Sequence, residues 1–175
     1  MNREIVFETE ILKWFTKNGR VLLPWRKKNI TAYEVWVSEI MLQQTQVSRV
    51  IEYYKRFLKR FPDVFELARA SWEEFYPYYA GLGYYNRGRN MLSCAHILVE
   101  KYKGIFPKTK ELLRDLPGIG EYTASAILSF AYNKNELAID TNIKKVFGRY
   151  FEGSKDAKID FETLKQNLAS SKKEL

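Results

Sequence analysis

Along almost the whole chain, apolar residues return every three or four positions, the spacing of one helix face, and nowhere do they alternate long enough to suggest a half-buried strand. Residues 4–17 place Phe7, Ile11, Leu12, Trp14 and Phe15 on one stripe, and Asn18-Gly19 supplies a helix stop. An extended segment, Arg20–Lys28, is shaped by Pro24 and ends in three cations. Thr31 then offers an N-cap with Glu34 at the capping-box position, opening a helix that carries Val35, Trp36, Ile40 and Leu42. A further amphipathic helix, 47–61, turns Val50, Ile51, Tyr54, Phe57, Leu58 and Phe61 inward and Arg49, Lys55, Arg56, Lys59 and Arg60 outward, and Pro62 stops it. Short helices are predicted over 64–70 and 71–80, and a tight turn over 81–89. Helices follow over 87–102, 109–116, 121–132 and 160–170, then a charged tail, 171–175. The chain is predicted to be all-α.

Composition narrows this picture. With 46% apolar and 15% aromatic residues in 175, there is enough apolar surface to offset chain entropy, in one core or two small lobes. The 29 Lys and Arg exceed the 21 Asp and Glu, giving +8, a balance that draws polyanions. No apolar run reaches the roughly 18 residues a membrane span requires, and the N-terminus lacks the apolar core of a signal peptide, so an intracellular protein is expected. Cys94 is the sole cysteine and His96 the sole histidine, both inside a helical pattern. Disulfides, a four-cysteine zinc or iron-sulfur site and a Ser-His-Asp triad all need partners that are scarce here, His96 being the one residue that could serve a triad, so chemistry is expected to fall to carboxylates and hydroxyls.

Four stretches stand out against the helical background. Glu39 sits among Val35, Trp36, Val37, Ile40 and Met41, either on the solvated strip of a buried helix or in an apolar pocket that would retain its proton. Gln43-Gln44-Thr45-Gln46 interrupts the apolar pattern with groups that can meet base edges or phosphates, or simply cap a helix through Thr45. The turn Gly81–Arg89 carries Tyr84, Tyr85, Arg87 and Arg89, rings for stacking and guanidiniums for phosphate, with core burial of the tyrosines the plainer alternative. Finally, Leu116-Pro117-Gly118-Ile119-Gly120 joins two helices, and its glycines permit backbone conformations that bring a helix N-terminus to a phosphate.

Taken together, residues 35–47, Gly81–Tyr85, Leu116–Ala124 and Ile139-Asp140-Thr141-Asn142 resemble adenine DNA glycosylases of the MutY type, in the helix-hairpin-helix base-excision superfamily. The resemblance spans residues 7–151, and Met41–Gln46 is its most specific run. It implies a helix-hairpin-helix fold with two helical lobes flanking a cleft: 1–30 packing on the second lobe, 31–135 a helical lobe with the hairpin at 109–132, and 136–175 returning to the second lobe. It also implies a monofunctional enzyme that flips adenine out of mispairs with 8-oxoguanine or guanine and hydrolyses its glycosidic bond. Glu39 would be the general acid, served by desolvation, and Asp140 the ionised carboxylate that stabilises the sugar cation. Gln44 and Tyr84 would wedge into the duplex, with Gln43 and Arg87 on DNA beside them. Gly118, Gly120, Tyr122 and Thr123 would grip phosphate. Tyr122 occupies the place where bifunctional relatives carry a Schiff-base lysine, and Lys144 matches a lysine near the abasic product. Arg20, Leu23 and Trp25 resemble the rim of the base pocket.

The chain also departs from that family. MutY enzymes continue through a four-cysteine iron-sulfur loop and a domain that reads 8-oxoguanine, neither of which these residues contain, so either a cluster-free minimal form or a fragment is expected. No cofactor and no iron-sulfur cluster are expected; a monovalent cation at the hairpin, found in relatives, is the one ion left open. The expected partner is double-stranded DNA with a mispaired or damaged base, bound by a monomer in the cytoplasm at the nucleoid, or in the nucleus of a eukaryote, with no membrane association. Two other readings stand beside this one: a thymine or uracil glycosylase on G mispairs, and a non-catalytic helix-hairpin-helix DNA-binding module.

Overall fold

The computed structural model describes residues 3–156 and 158–164, and every regular element among them is helical. The chain divides into two compact units, Leu22–Lys134 and Met1–Val21 with Asn135–Leu175.

The Leu22–Lys134 unit is built around α2 (Ala32–Leu42). The predicted capping box forms: Thr31 Oγ1 accepts the Glu34 N–H at 3.2 Å and Glu34 Oε2 accepts the Thr31 N–H at 2.9 Å. Tyr33, Val35, Trp36, Val37, Ser38, Ile40 and Met41 are all buried, so this helix runs through the core. Around it pack α3 (Val47–Arg60), α8 (Glu121–Ala126) and a π-helical stretch, Ile127–Ala131. The charged face of α3 stays in solvent while Val50, Tyr54 and Phe57 go inward. α4 (Val64–Arg69), capped by Asp63, packs on α6 (Tyr85–Tyr102). α5 (Trp72–Tyr79), opened by a capping box at Ser71, joins Phe57, Phe61 and Phe75 in an aromatic cluster.

Three boundaries differ from the periodic pattern. α6 starts at Tyr85, because the turn is complete once Tyr84 takes a left-handed conformation. α7 is short, Lys110–Arg114, since the Asp115 N–H already closes on the Glu111 carbonyl before Pro117. The predicted helix 121–132 becomes α8 followed by the wider π turns, with the Lys134 N–H reaching back to the Leu128 carbonyl.

The other unit contains α1 (Arg3–Asn18) and α9 (Thr141–Glu152). Phe7 centres it, its ring within 5.3 Å of those of Phe147, Tyr150 and Phe151, and Arg3 donates to the carbonyls of Tyr150 and Phe151. These contacts gather at the start of α1, so the predicted apolar stripe is buried only at Phe7; Ile11, Leu12, Trp14 and Phe15 lie exposed, Trp14 by 60%. Residues 161–164 are helical, and the rest of the predicted 160–170 helix and the tail lie outside the described residues.

Candidate functional site

In the Leu22–Lys134 unit, the end of α2 gathers the first group of predicted residues. Glu39 is half-buried, on the part of α2 left open by its buried neighbours Val35–Ser38, Ile40 and Met41. It is thus neither a freely solvated side chain nor a fully enclosed one. Gln43 caps the C-terminus of α2 in an extended conformation, and Gln44 follows at φ 54°, a left-handed value uncommon for a residue with a side chain. Thr45 does not cap α3: that position belongs to Gln46, and the Thr45 hydroxyl donates to the Gln43 carbonyl at 3.3 Å instead.

Against this corner lies the glycine turn. Gly81 and Gly83 have φ +95° and +73°, and Tyr84, at φ 50°, leaves its ring 60% exposed. Arg87, predicted as a phosphate ligand, points inward. Its Nη1 donates to the carbonyls of Ile40 (2.7 Å) and Gln43, and its Nη2 to those of Leu82 and Gly83, both at 3.3 Å. The Tyr79 and Tyr84 rings flank its Cζ at 5.9 and 5.3 Å. Burial pushes the Tyr79 hydroxyl up to about 12 despite the opposing guanidinium charge.

The hairpin takes the predicted form. Leu116 and Ile119 are buried anchors, with the Ile119 N–H closing on the Leu116 carbonyl, while Gly118 and Gly120 face solvent. Gly118 has φ +78°, and a Cβ there would come within 3.0 Å of Asn90 Cβ. Gly120 opens α8 without a side-chain cap. Tyr122 is half-buried, whereas the side chain of Thr123 is turned into the core, so contact with a ligand there would use its backbone. Of the predicted pocket rim, Leu23 and Trp25 are half-buried, and Trp25 stands edge-on to Tyr54 at 5.4 Å.

Within the α1–α9 unit, Asp140 is the N-cap of α9. Its Oδ1 accepts the Ile143 N–H at 2.7 Å and its Oδ2 the Asn142 side-chain amide at 3.2 Å. Lys144, one turn on, is exposed, as is Arg20. Elsewhere, His96 is exposed, and Cys94 is fully buried with its thiol pushed up to about 12 by desolvation, which makes it a core residue rather than a nucleophile. Among the described residues no cluster of His, Cys, Asp and Glu is placed to hold a metal, and no helix is long and apolar enough to cross a membrane.

Sequence reasoning missed the inward turn of Arg87 and the left-handed backbone of Gln44 and Tyr84. The only available signal was the Gly81-Leu82-Gly83 spacing ahead of Arg87, which marks a tight turn with carbonyls in need of donors.

The arrangement of helices is that of the helix-hairpin-helix DNA glycosylases. A thermostable thymine-DNA glycosylase superposes with a TM-score of 0.81 at 24% identity, over 94% of this chain and 77% of that one. An Endonuclease III solved as a non-covalent DNA complex gives 0.75 at 20%, over 97% and 78%. Residues 37–170 match the HhH-GPD superfamily of base excision DNA repair proteins, and the chain belongs to that superfamily. The adenine DNA glycosylase of Buchnera aphidicola subsp. Baizongia pistaciae is 48% identical over 148 residues, 84% of this chain. The chain spans 42% of that relative's length.

Proposed function

We propose that this chain is a monofunctional DNA glycosylase that excises adenine mispaired with 8-oxoguanine or guanine, in base excision repair. The observation that carries the reading is its 48% identity to an adenine DNA glycosylase over 148 residues. The family match, 37–170, contains both candidate carboxylates, Glu39 and Asp140. The net charge of +8 and the exposed glycines of the hairpin support a double-stranded DNA partner, bound through phosphates wherever the cell keeps its DNA.

In the proposed reaction Glu39 donates its proton to a ring nitrogen of the flipped adenine. The bond between that base and the deoxyribose then breaks, and its electron pair leaves with adenine. Asp140 stays ionised and stabilises the sugar cation; water adds to the sugar carbon and loses its proton to solvent. The products are free adenine and an abasic site. With Tyr122 at the position of the Schiff-base lysine, no strand cleavage accompanies excision. Gln44 and Tyr84 fill the gap left by the flipped base, with Gln43 on the DNA beside them. Gly118, Gly120 and the N–H groups of Tyr122 and Thr123 hold a phosphate, a cation there serving the same contact. Arg20, Leu23 and Trp25 line the base pocket, and Lys144 lies near the abasic product.

Single-turnover cleavage of duplexes holding A opposite 8-oxoguanine, A opposite G, T opposite G or U opposite G, each followed by alkali, tests the reading. Alkali-labile sites at A alone are expected. Breaks confined to T or U would replace it with a thymine or uracil glycosylase, and none in any duplex would favour a DNA-binding module.

A further inference from the structure

The observation that the proposed reaction does not absorb is Arg87. A helix-borne arginine next to two tyrosines and a glycine turn would serve well as a phosphate clamp, yet both of its terminal nitrogens are committed to backbone carbonyls of its own chain. Two of those four carbonyls have a particular address. The Gln43 carbonyl belongs to the peptide that leads into Gln44, and the Gly83 carbonyl to the peptide that leads into Tyr84. Gln44 and Tyr84 are themselves left-handed, at φ 54° and 50°, and both side chains are exposed. A non-glycine residue in that conformation costs on the order of 1–2 kcal/mol and persists only where its surroundings over-determine it. Here one guanidinium reaches both segments, joined at the Gln43 carbonyl by the Thr45 hydroxyl. The Ile40 and Leu82 carbonyls complete its grip on the two segments, and the Arg87 N–H also closes on the Tyr84 carbonyl at 2.8 Å.

We propose that Arg87 is a positioning residue that locks the peptides before Gln44 and Tyr84, so that these two exposed side chains form one rigid pair for insertion into a duplex. The chemistry of the guanidinium is what permits this. Its flat fork carries donors on both terminal nitrogens and can satisfy two segments at once, whereas a lysine ammonium offers a single point of attachment. Neither Gln44 nor Tyr84 then has to be ordered when DNA binds, which removes part of the entropic cost of inserting them. The inference rests on the reading of the chain as a base-flipping glycosylase, but its structural half stands apart from activity.

Both halves can be measured on Arg87→Lys, with Arg87→Gln as a second variant should the first fail to fold. Amide hydrogen exchange decides the structural half. The amides of 43–46 and of 83–85 should both exchange faster in the variant while those of α2 and α3 keep their protection. Acceleration in only one segment overturns the proposal. For the functional half, single-turnover excision of A opposite 8-oxoguanine should fall on the order of 10²-fold, the penalty of a small misplacement near the reacting group. The slope of log Kd against log salt should match the parent, and a slope reduced by about 1 would make Arg87 a phosphate ligand and overturn the proposal. Added to the double variant Gln44→Ala/Tyr84→Ala, Arg87→Lys should cost little more, because Arg87 acts through those two side chains; a further loss as large as the one it causes in the parent overturns the proposal. If the parent itself excises no adenine, the functional reading fails, and the exchange result still decides whether Arg87 locks the two segments.

Discussion

Between Leu22 and Lys134 the chain fully buries Trp36, Phe57, Phe61, Phe75 and Tyr79 and closes them into a continuous aromatic and aliphatic core, while the described residues of the α1–α9 unit bury only Phe7, Gly148 and Leu164. Glu39 stands on the most deeply packed helix of the first. Asp140, also half-buried, stands at the beginning of a helix in the second, held by its cap, the helix itself by a handful of aromatic contacts. One carboxylate is thus fixed by core packing and the other by local hydrogen bonds. Elements with few buried apolar contacts are the ones that open locally at low cost, so α9 is expected to be the more labile of the two supports.

The largest effect should come from the deeper core. Trp36→Ala removes a fully buried indole and should cost about 3–5 kcal/mol in urea denaturation. Trp14→Ala, on the exposed face of α1, should stay within about 0.5 kcal/mol. Equal losses would dissolve the contrast between buried and exposed tryptophans. Phe7→Ala should cost about 3 kcal/mol and act locally, raising hydrogen exchange in α1 and α9 while α2, α3 and α6 keep their protection. Uniform acceleration would mean the two units share one cooperative core.

A smaller effect is expected at the capping box of α2. Thr31→Ala should cost about 1 kcal/mol, read as a lowered urea midpoint. Burial raises the Glu34 carboxyl, but hydrogen bonds from Lys27 and Thr31 outweigh it and hold it below the usual 4.5. A folded-state value below the unfolded one contributes stability that is present above about pH 4.5 and lost as pH falls through the folded value. Solvent screening keeps this to a few tenths of a kcal/mol. The Tm gap between the parent and Glu34→Gln should therefore be open at pH 7 and close in acid; a gap that widens in acid would contradict the assignment.

The helical class, both capping signals at Thr31 and Glu34, and the hairpin glycines were legible in the sequence because each is a local rule carried by neighbouring residues. The stripe on α1 was not: periodicity says that Ile11, Leu12, Trp14 and Phe15 share a face with Phe7, but not how far along α1 a partner extends. The inward bonds of Arg87 were hidden for a related reason. Arginine near aromatics suits phosphate equally well, and its true acceptors, the Ile40 and Gln43 carbonyls, lie more than forty residues away in the chain. The π-helical turns at Ile127–Ala131 had no sequence signal, since Ala124–Leu128 reads as ordinary helix.

The two supports for the carboxylates meet in one measurement. Asn is as good an N-cap as Asp, so Asp140→Asn preserves the start of α9 while removing the negative charge. Single-turnover excision of A opposite 8-oxoguanine, measured beside duplex affinity, should then show turnover falling below detection with Kd within about threefold of the parent. Glu39→Gln should lose about 10²–10⁴-fold, the usual worth of a general acid. Turnover by Asp140→Asn at the parent rate, or loss of turnover only in proportion to lost DNA affinity, would contradict the two-carboxylate account.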